Sequence, residues 1–187
     1  LNSAGTVTEV ELTTDAAGTP VVYQANGTTW NQATFDSSNN KVVVSYNVGG
    51  TGALVAVGTV SGTAISYGTP VAISGAGNSY GAITYDSSNN KVVIAYRDYS
   101  NSDYGTAVVG TVSGTSISFG TPVVFESANS PHIAITFDTN NNAVAIAYSD
   151  VGNSEYGTAV VGTVSGTAIS FGIPVVFESG VAKGISA

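Results

Sequence analysis

Short apolar runs separated by polar turns follow one another along this chain, and the same pattern returns three times. The segment that begins at Thr34 is found again at Thr84 and at Thr136, which gives spacings of 50 and 52 residues. Such a period is typical of units that are too small to bury their own core and therefore stack on copies of themselves. The pattern predicts a protein built from similar repeat units.

The repeat predicts one domain with a partial unit in front of three full ones. The Gly-Thr-Pro triplet at Gly18 matches the triplets at Gly68 and Gly120, so an incomplete unit precedes the first full one. The length of 187 residues also suits a single domain. We expect one repeat domain over 1–187, with a partial unit at 1–33, full units at 34–83, 84–135 and 136–187, and the last unit running into the start of a further one.

Each unit is expected to form four short strands, because frequent glycine and β-branched residues disfavour helix. The Asp-Ser-Ser-Asn-Asn segment at Asp36 predicts a hairpin turn, since Asp side chains accept hydrogen bonds from nearby backbone amides and Asn tolerates a positive φ. Asp86 and Asp138 repeat it and are expected to have the same structural role. In the first unit the predicted strands cover 32–35, 41–46, 53–60 and a fourth from Thr63 through Tyr67 toward Ser74.

The second and third strands of each unit are apolar on both faces, as in Val42-Val43-Val44. A sheet with one wet face would alternate apolar and polar residues, so each small sheet is expected to lie between two neighbours. Blades of a β-propeller are packed in this way. The sequence therefore predicts an all-β fold, a β-propeller or propeller-like array of four-stranded antiparallel blades with a repeat of about 50–52 residues.

Composition narrows the choice of partners. The chain carries 12 acidic and 4 basic residues, a net charge of −8, and only 9% of its residues are charged. Nucleic acids and anionic membranes select basic surfaces, so neither is an expected partner. No apolar run approaches the roughly 20 residues that span a bilayer, so membrane insertion is not expected either. The unfinished units at both ends predict self-association or a longer parent chain, because exposed strand edges pair with other strands.

One position varies among the near-identical units and is the first candidate for binding. Trp30, Tyr80 and His132 occupy equivalent places just before the first strand. Aromatic side chains at the rim of a blade can stack on sugar rings or anchor a protein, so a surface glycan is a candidate partner. The alternative is that the three side chains cover the core between blades.

The loop after the second strand is the candidate metal site. It carries Asp98, Asn101 and Asp103, matched in the next unit by Asp150, Asn153 and Glu155. Oxygen ligands at short spacing suit Ca²⁺, although the spacing does not fit the EF-hand template. The alternative role is turn formation, which is common for Asp and Asn in polar loops. No cofactor other than calcium is indicated.

The residues do not predict an enzyme. Most acidic side chains recur with the repeat, whereas a glycosidase needs two carboxylates in one unique pocket. His132 is the single histidine and has no recognisable acid partner for a catalytic triad. We therefore assign no catalytic residue.

The repeated sequence resembles a known class of protein. The run from the aromatic residue and Asp-Ser-Ser-Asn-Asn-Lys-Val-Val through Gly-Thr-Ala-Val-Val-Gly-Thr-Val-Ser-Gly-Thr to Phe-Gly-Thr-Pro-Val-Val-Phe is similar to propeller-like repeats of marine phage tail-fibre and bacterial surface proteins. The resemblance covers about residues 33–179. It implies an exposed part of a virion or cell surface that binds or supports something, and it supplies no site residue.

The expectation from the sequence is a non-enzymatic structural or adhesive β-repeat module of a phage fibre or extracellular surface protein. Such a module mediates attachment or assembly. The alternatives are a secreted glycan-binding propeller lectin and, less favoured, a propeller-fold glycan hydrolase. A lectin would show several equivalent sites, and a hydrolase would show one unrepeated acidic pocket.

Overall fold

The computed structural model describes residues 18–49, 51–73 and 81–186, and this part of the chain is all-β. It forms three antiparallel sheets and two short 3₁₀ helices, Tyr99–Asn101 and Val151–Asn153. Sheet 1 contains β1 (Thr28–Asp36), β2 (Lys41–Val48), β3 (Gly52–Ser61), β4 (Ala64–Tyr67) and β5 (Val71–Ala72). Sheet 2 contains β6 (Gly81–Asp86), β7 (Lys91–Asp98), β8 (Tyr104–Ser113), β9 (Ser116–Phe119) and β10 (Val123–Asn129). Sheet 3 contains β11 (Ala134–Asp138), β12 (Ala143–Asp150), β13 (Tyr156–Ser165), β14 (Ala168–Phe171) and β15 (Val175–Val181).

Each repeat unit makes one sheet, but its predicted fourth strand is two strands. In sheet 1, β4 and β5 both pair with β3, one at each end of it. The break falls at Gly68-Thr69-Pro70, because proline has no N–H group for the ladder. The Gly68 amide still donates to the Val57 carbonyl at 2.9 Å, so the chain crosses the break beside β3. Sheets 2 and 3 repeat this arrangement.

The predicted hairpin turns are confirmed. Asp36 Oδ1 accepts hydrogen bonds from the backbone amides of Ser38 and Asn39, both at 3.0 Å. Asp86 makes the same pair of contacts in sheet 2. Asp138 repeats them in sheet 3, where the side-chain hydrogen bond from Asn141 lowers the pKa of its carboxyl group. These three carboxylates hold turns, as their repetition predicted.

The sheets stack face to face, with sheet 2 between sheets 1 and 3. One buried cluster joins side chains of sheets 1 and 2, including Val57 and Ile94, and another joins sheets 2 and 3, including Val109 and Ile146. Val92 and Val93, adjacent in β7, are both buried because each faces a different neighbouring sheet. The prediction of two buried faces is therefore confirmed for sheet 2.

The first strands of the units lie next to one another. Strand β6 contacts both β1 and β11. The strands begin before the predicted unit boundaries: β1 starts at Thr28, β6 at Gly81 and β11 at Ala134. No closed ring is identified among the described sheets, so the propeller itself stays a prediction.

Candidate functional site

Trp30 and His132 occupy the same unusual backbone conformation. Their φ angles are 56° and 55°, which place both in the left-handed region. Gly184 is the equivalent residue one repeat after His132, and its φ is 66°. Glycine adopts this conformation without steric cost, whereas a residue with a bulky side chain does not. The position therefore favours glycine, yet two units place a large ring there.

A bulge at the start of β1 sets the direction of Trp30. The register between β1 and β2 shifts between Thr29 and Gln32, so Trp30 lies at the irregular point. Bulges of this kind redirect a side chain, and strained backbone at a surface site points toward a function for it. Trp30 remains 46% exposed.

Trp30 and His132 border one cavity of about 430 Å³. It is also lined by Gln32 and by the isoleucines Ile133 and Ile185. A second cavity of about 260 Å³ shares Gln32, Ile133 and Ile185, so the two adjoin. An aromatic face beside an imidazole and an amide matches the combination of stacking and hydrogen bonding that a sugar ring needs.

The structure thus brings together two of the three predicted binding residues. Trp30 belongs to β1 and His132 precedes β11, but the contact of both strands with β6 places the two rings at one opening. Tyr80, the third candidate, lies outside the described residues, as does the N-terminal part of the predicted partial unit.

The acidic loop of the second unit is held by its own contacts. Asp98 Oδ1 accepts from the Ser100 amide at 3.0 Å and from the Ser100 hydroxyl at 2.6 Å, which caps the 3₁₀ helix. Asp103 pairs with Arg97 at 3.2 Å, and the Arg97 guanidinium lies 4.5 Å from the centre of the Tyr99 ring. Asn101 ends the helix. These contacts engage both carboxylates, but Asp103 Oδ1 is buried without a hydrogen-bond partner among the described residues.

The loop of the third unit has the same backbone course but different side-chain contacts. Asp150 precedes the helix but makes no capping hydrogen bond. The backbone carbonyl of Glu155 accepts from the Ala182 amide at 3.0 Å, and Asn153 is exposed at the end of the helix. Within the described residues, no group of three or more His, Asp or Glu side chains could hold a metal ion. Calcium binding therefore stays a prediction.

Sequence reasoning missed the contacts that join one unit to the next. Phe125 of the second unit packs on two rings of the third, Tyr148 at 5.1 Å and Phe171 at 5.7 Å between ring centres. The Tyr148 hydroxyl also donates to Glu126 Oε2 at 2.9 Å. Burial raises the pKa of Tyr148, and the hydrogen bond to Glu126 adds to the increase. The available signal was the third residue after each Pro of the Gly-Xaa-Pro triplet.

The hairpin turns form a second line of contacts between units. The Ser38 hydroxyl donates to Asn90 Oδ1 at 2.6 Å, and the Ser88 hydroxyl donates to Asn142 Oδ1 at 2.5 Å. Both acceptor residues lie one turn further along the array. The two junctions, between sheets 1 and 2 and between sheets 2 and 3, therefore use the same donor and acceptor in the same register.

None of the helices in the described ranges is long and apolar enough to cross a membrane.

Comparison with other proteins found no relative of this chain. The chain matches no protein-family model, no curated protein and no solved structure.

Proposed function

We propose that this chain is a non-enzymatic structural and adhesive module of a phage fibre or extracellular surface protein, and that it mediates attachment or assembly. The observation that carries the proposal is the repetition of the junctions: successive sheets are joined face to face by equivalent side chains and equivalent turn contacts. A chain built in this way extends by adding units, each of which is stabilised by its neighbours.

The roles of the acidic side chains support a non-enzymatic module. Asp36, Asp86 and Asp138 hold turns, and Asp98 and Asp103 hold one loop. Their carboxylates are engaged in contacts that recur with the repeat or shape its loops. A hydrolytic pair would instead be two carboxylates facing each other across a single cleft.

A propeller-like arrangement is part of the proposal. The first strands of the three units pack side by side, and the sheets are stacked with a buried core at each junction. Blades arranged around a common centre have these two features. The exposed virion or cell-surface setting is supported by the resemblance to propeller-like repeats of marine phage tail fibres and bacterial surface proteins.

The test of this proposal is the location of the chain in its source. Antibodies raised against the purified chain should label intact virus-sized particles or the outer surface of cells. Purified chain added in excess should also lower the attachment of those particles to their host. Recovery of the chain only from the cell interior would overturn the proposal.

A second candidate function, glycan binding by a secreted lectin, is favoured by the opening at Trp30 and His132. Two bulky rings in a conformation that suits glycine border one cavity with a polar and an apolar wall. Glycan-array binding should be lost in Trp30→Gly and reduced in His132→Gly, since glycine already occupies the equivalent position at Gly184. Phe35→Ala, which removes an exposed ring from the opposite end of β1, is the matched control and should bind as before. Unchanged binding by the Trp30 variant would rule out this site.

A further inference from the structure

One face of sheet 3 is apolar and exposed, and we call it the terminal face. Ala145 pairs with Val161 across β12 and β13, and Ala159 pairs with Val175 across β13 and β15, so these side chains share one side of the sheet. Val161 is 55% exposed, Val175 is 65% exposed and Phe177 is 57% exposed. The terminal face consists of Ala145, Ala147, Ala159, Val161, Val175 and Phe177.

Every residue of the terminal face is one repeat away from a residue at the junction of sheets 2 and 3. Val109, the equivalent of Val161, is fully buried there, and Phe125, the equivalent of Phe177, is 7% exposed. The remaining equivalents are Val93, Ala95, Ala107 and Val123, which belong to the same cluster or pack against it. The terminal face therefore has the side chains of a junction but no sheet against it in the described structure.

The aromatic contact at the junction of sheets 2 and 3 shows what such a face accepts. Phe125 lies in a slot between Tyr148 and Phe171 of the next unit. At the junction of sheets 1 and 2, the equivalent position holds the buried Ile73. At the other end of the array, Tyr23 fills the equivalent slot between Tyr46 and Tyr67, with ring centres 4.9 Å and 5.6 Å away. Phe177 is the next residue in this series. In the described part of the chain, its ring lies over Gly157 of its own sheet.

A glycine contact distinguishes the terminal face in the same way. A Cβ atom on Gly18, Gly68 or Gly120 would overlap the carbonyl oxygen of a threonine in the next unit's turn. Those threonines are Thr63, Thr115 and Thr167. On Gly172, the fourth glycine of the series, a Cβ atom would lie 3.7 Å from the carbonyl oxygen of Val161 in its own sheet.

A polar contact adds chemical specificity. Glu126 accepts a hydrogen bond from the Tyr148 hydroxyl across the junction. Glu178 is its equivalent one repeat later and is exposed, with one carboxylate oxygen bonded to the amide of Gly180 at 2.8 Å. The terminal face thus pairs an aromatic ring with a neighbouring carboxylate, which together fit a tyrosine.

From these contacts we infer that the terminal face is a docking surface for a further unit of this repeat, with a tyrosine in its second strand and an aromatic residue in its fourth. The tyrosine hydroxyl reaches Glu178, the two rings enclose Phe177, and the turn before the fourth strand packs on Gly172. This inference rests on the proposed role in assembly. A second copy of the present chain is the less suitable occupant, because Tyr23 already fills the corresponding slot on its sheet 1.

The path of the chain after β15 agrees with this occupant. The Ala182 amide donates to the Glu155 carbonyl, as the Ser130 amide donates to the Asp103 carbonyl one repeat earlier. Gly184 then adopts the left-handed conformation of His132, and Ile185 lines the same cavity as Ile133. In the preceding repeat, the equivalent residues lead from β10 into β11, the first strand of the next sheet. The residues after β15 therefore follow the path that would lead into the first strand of a further sheet.

The test adds a unit to the full chain. A variant in which residues 136–187 are repeated directly after Ala187 keeps the 52-residue period and supplies the tyrosine and phenylalanine in register. Phe177→Asp is then made in both the original and the extended chain. The melting temperature should change by less than about 2 °C in the original chain and should fall by roughly 8 °C or more in the extended chain, where the ring would be buried.

Ile173→Thr is the matched control, because Ile173 is 89% exposed in the connection between β14 and β15 and the other units have Thr at this position. It should leave the melting temperature of both chains unchanged. Hydrogen exchange gives a second readout: amides of β15 should exchange at least tenfold more slowly in the extended chain. Added junction contacts lower the frequency of local opening.

Three results would overturn the inference. The first is an equal effect of Phe177→Asp in both chains, and the second is independent melting of the added unit with unchanged exchange in β15. The third is an original chain that forms a dimer by light scattering and becomes monomeric with Phe177→Asp, because the occupant would then be a second copy. All three are measured on purified protein, so they are independent of where the chain is located in its source.

Discussion

The face of sheet 2 that packs on sheet 3 and the terminal face of sheet 3 have nearly the same side chains in different surroundings. Val109 and Phe125 are buried at the first, whereas Val161 and Phe177 are more than half exposed at the second. Local sequence does not cause this difference, since the strands have the same pattern. The difference arises from the neighbouring sheet, which only the first face has in the described structure.

This comparison teaches that the importance of a residue in a repeat protein depends on its place in the array. Stability in such proteins is the sum of weak single units and strong contacts between nearest neighbours. Equivalent substitutions at a junction and at the terminal face should therefore lower the free energy of unfolding by different amounts. The difference is the contribution of the contact that the terminal face lacks. Each pair of variants below measures one such contact.

The largest difference is expected for the phenylalanine pair. Phe125→Ala should lower the free energy of unfolding by about 3–5 kcal/mol, because it leaves a cavity between Tyr148 and Phe171. Phe177→Ala should cost less than about 1 kcal/mol, since more than half of the ring is already exposed. Urea denaturation of the two variants measures both values. Equal losses would mean that the terminal face is covered in solution.

The glycine pair should show the next largest difference. Gly120→Ala places a methyl group against the carbonyl oxygen of Thr167, so the junction must move apart at a cost of about 1–3 kcal/mol. Gly172→Ala has ordinary van der Waals space and should change stability by less than about 0.5 kcal/mol. Thermal melting compares the two. A strong effect at Gly172 would show that this glycine is needed by its own sheet.

The glutamate pair tests the hydrogen bond across the junction. Glu126→Ala removes the acceptor of the buried Tyr148 hydroxyl and should cost about 1–2 kcal/mol. Glu178→Ala should change stability by less than about 0.5 kcal/mol, because its described contact is a local one with Gly180. The control is Tyr148→Phe, on which Glu126→Ala should have little further effect. If the loss persists in that background, Glu126 stabilises the protein by another contact.

Much of the fold could be predicted from the sequence because its signals are local and repeated. The double-sided apolar runs predicted buried strands, and the Asp-Ser-Ser-Asn-Asn segments predicted the hairpins. The broken fourth strand was not predicted. Pro70 was included in a continuous strand, although proline lacks the N–H group that a continuous ladder would use.

Less of the candidate site could be predicted. Comparison of the units selected Trp30 and His132, but tryptophan gives no signal of a left-handed backbone and histidine gives only a weak one. The stronger clue was Gly184, a glycine at the equivalent position. The contacts of Phe125 with Tyr148 and Phe171 could not be predicted from the hydrophobic pattern, because they join strands of different units. Hydrophobic periodicity indicates that a side chain is buried, but it does not identify the ring that the side chain contacts.

The smallest difference is expected at the hairpin turns. Ser88→Ala removes the hydroxyl that donates to Asn142 and should cost about 0.5–1 kcal/mol. Asn140→Ala, at the equivalent position of the third unit, should change stability by less than about 0.3 kcal/mol, because its exposed side chain has no following turn in the described structure. Both substitutions keep the backbone amide that donates to the turn aspartate, Asp86 or Asp138. Precise urea midpoints separate the two outcomes. If Ser88→Ala leaves stability unchanged while Phe125→Ala lowers it strongly, the junction is stabilised by its apolar face alone and the hydrogen bonds between turns add no stability.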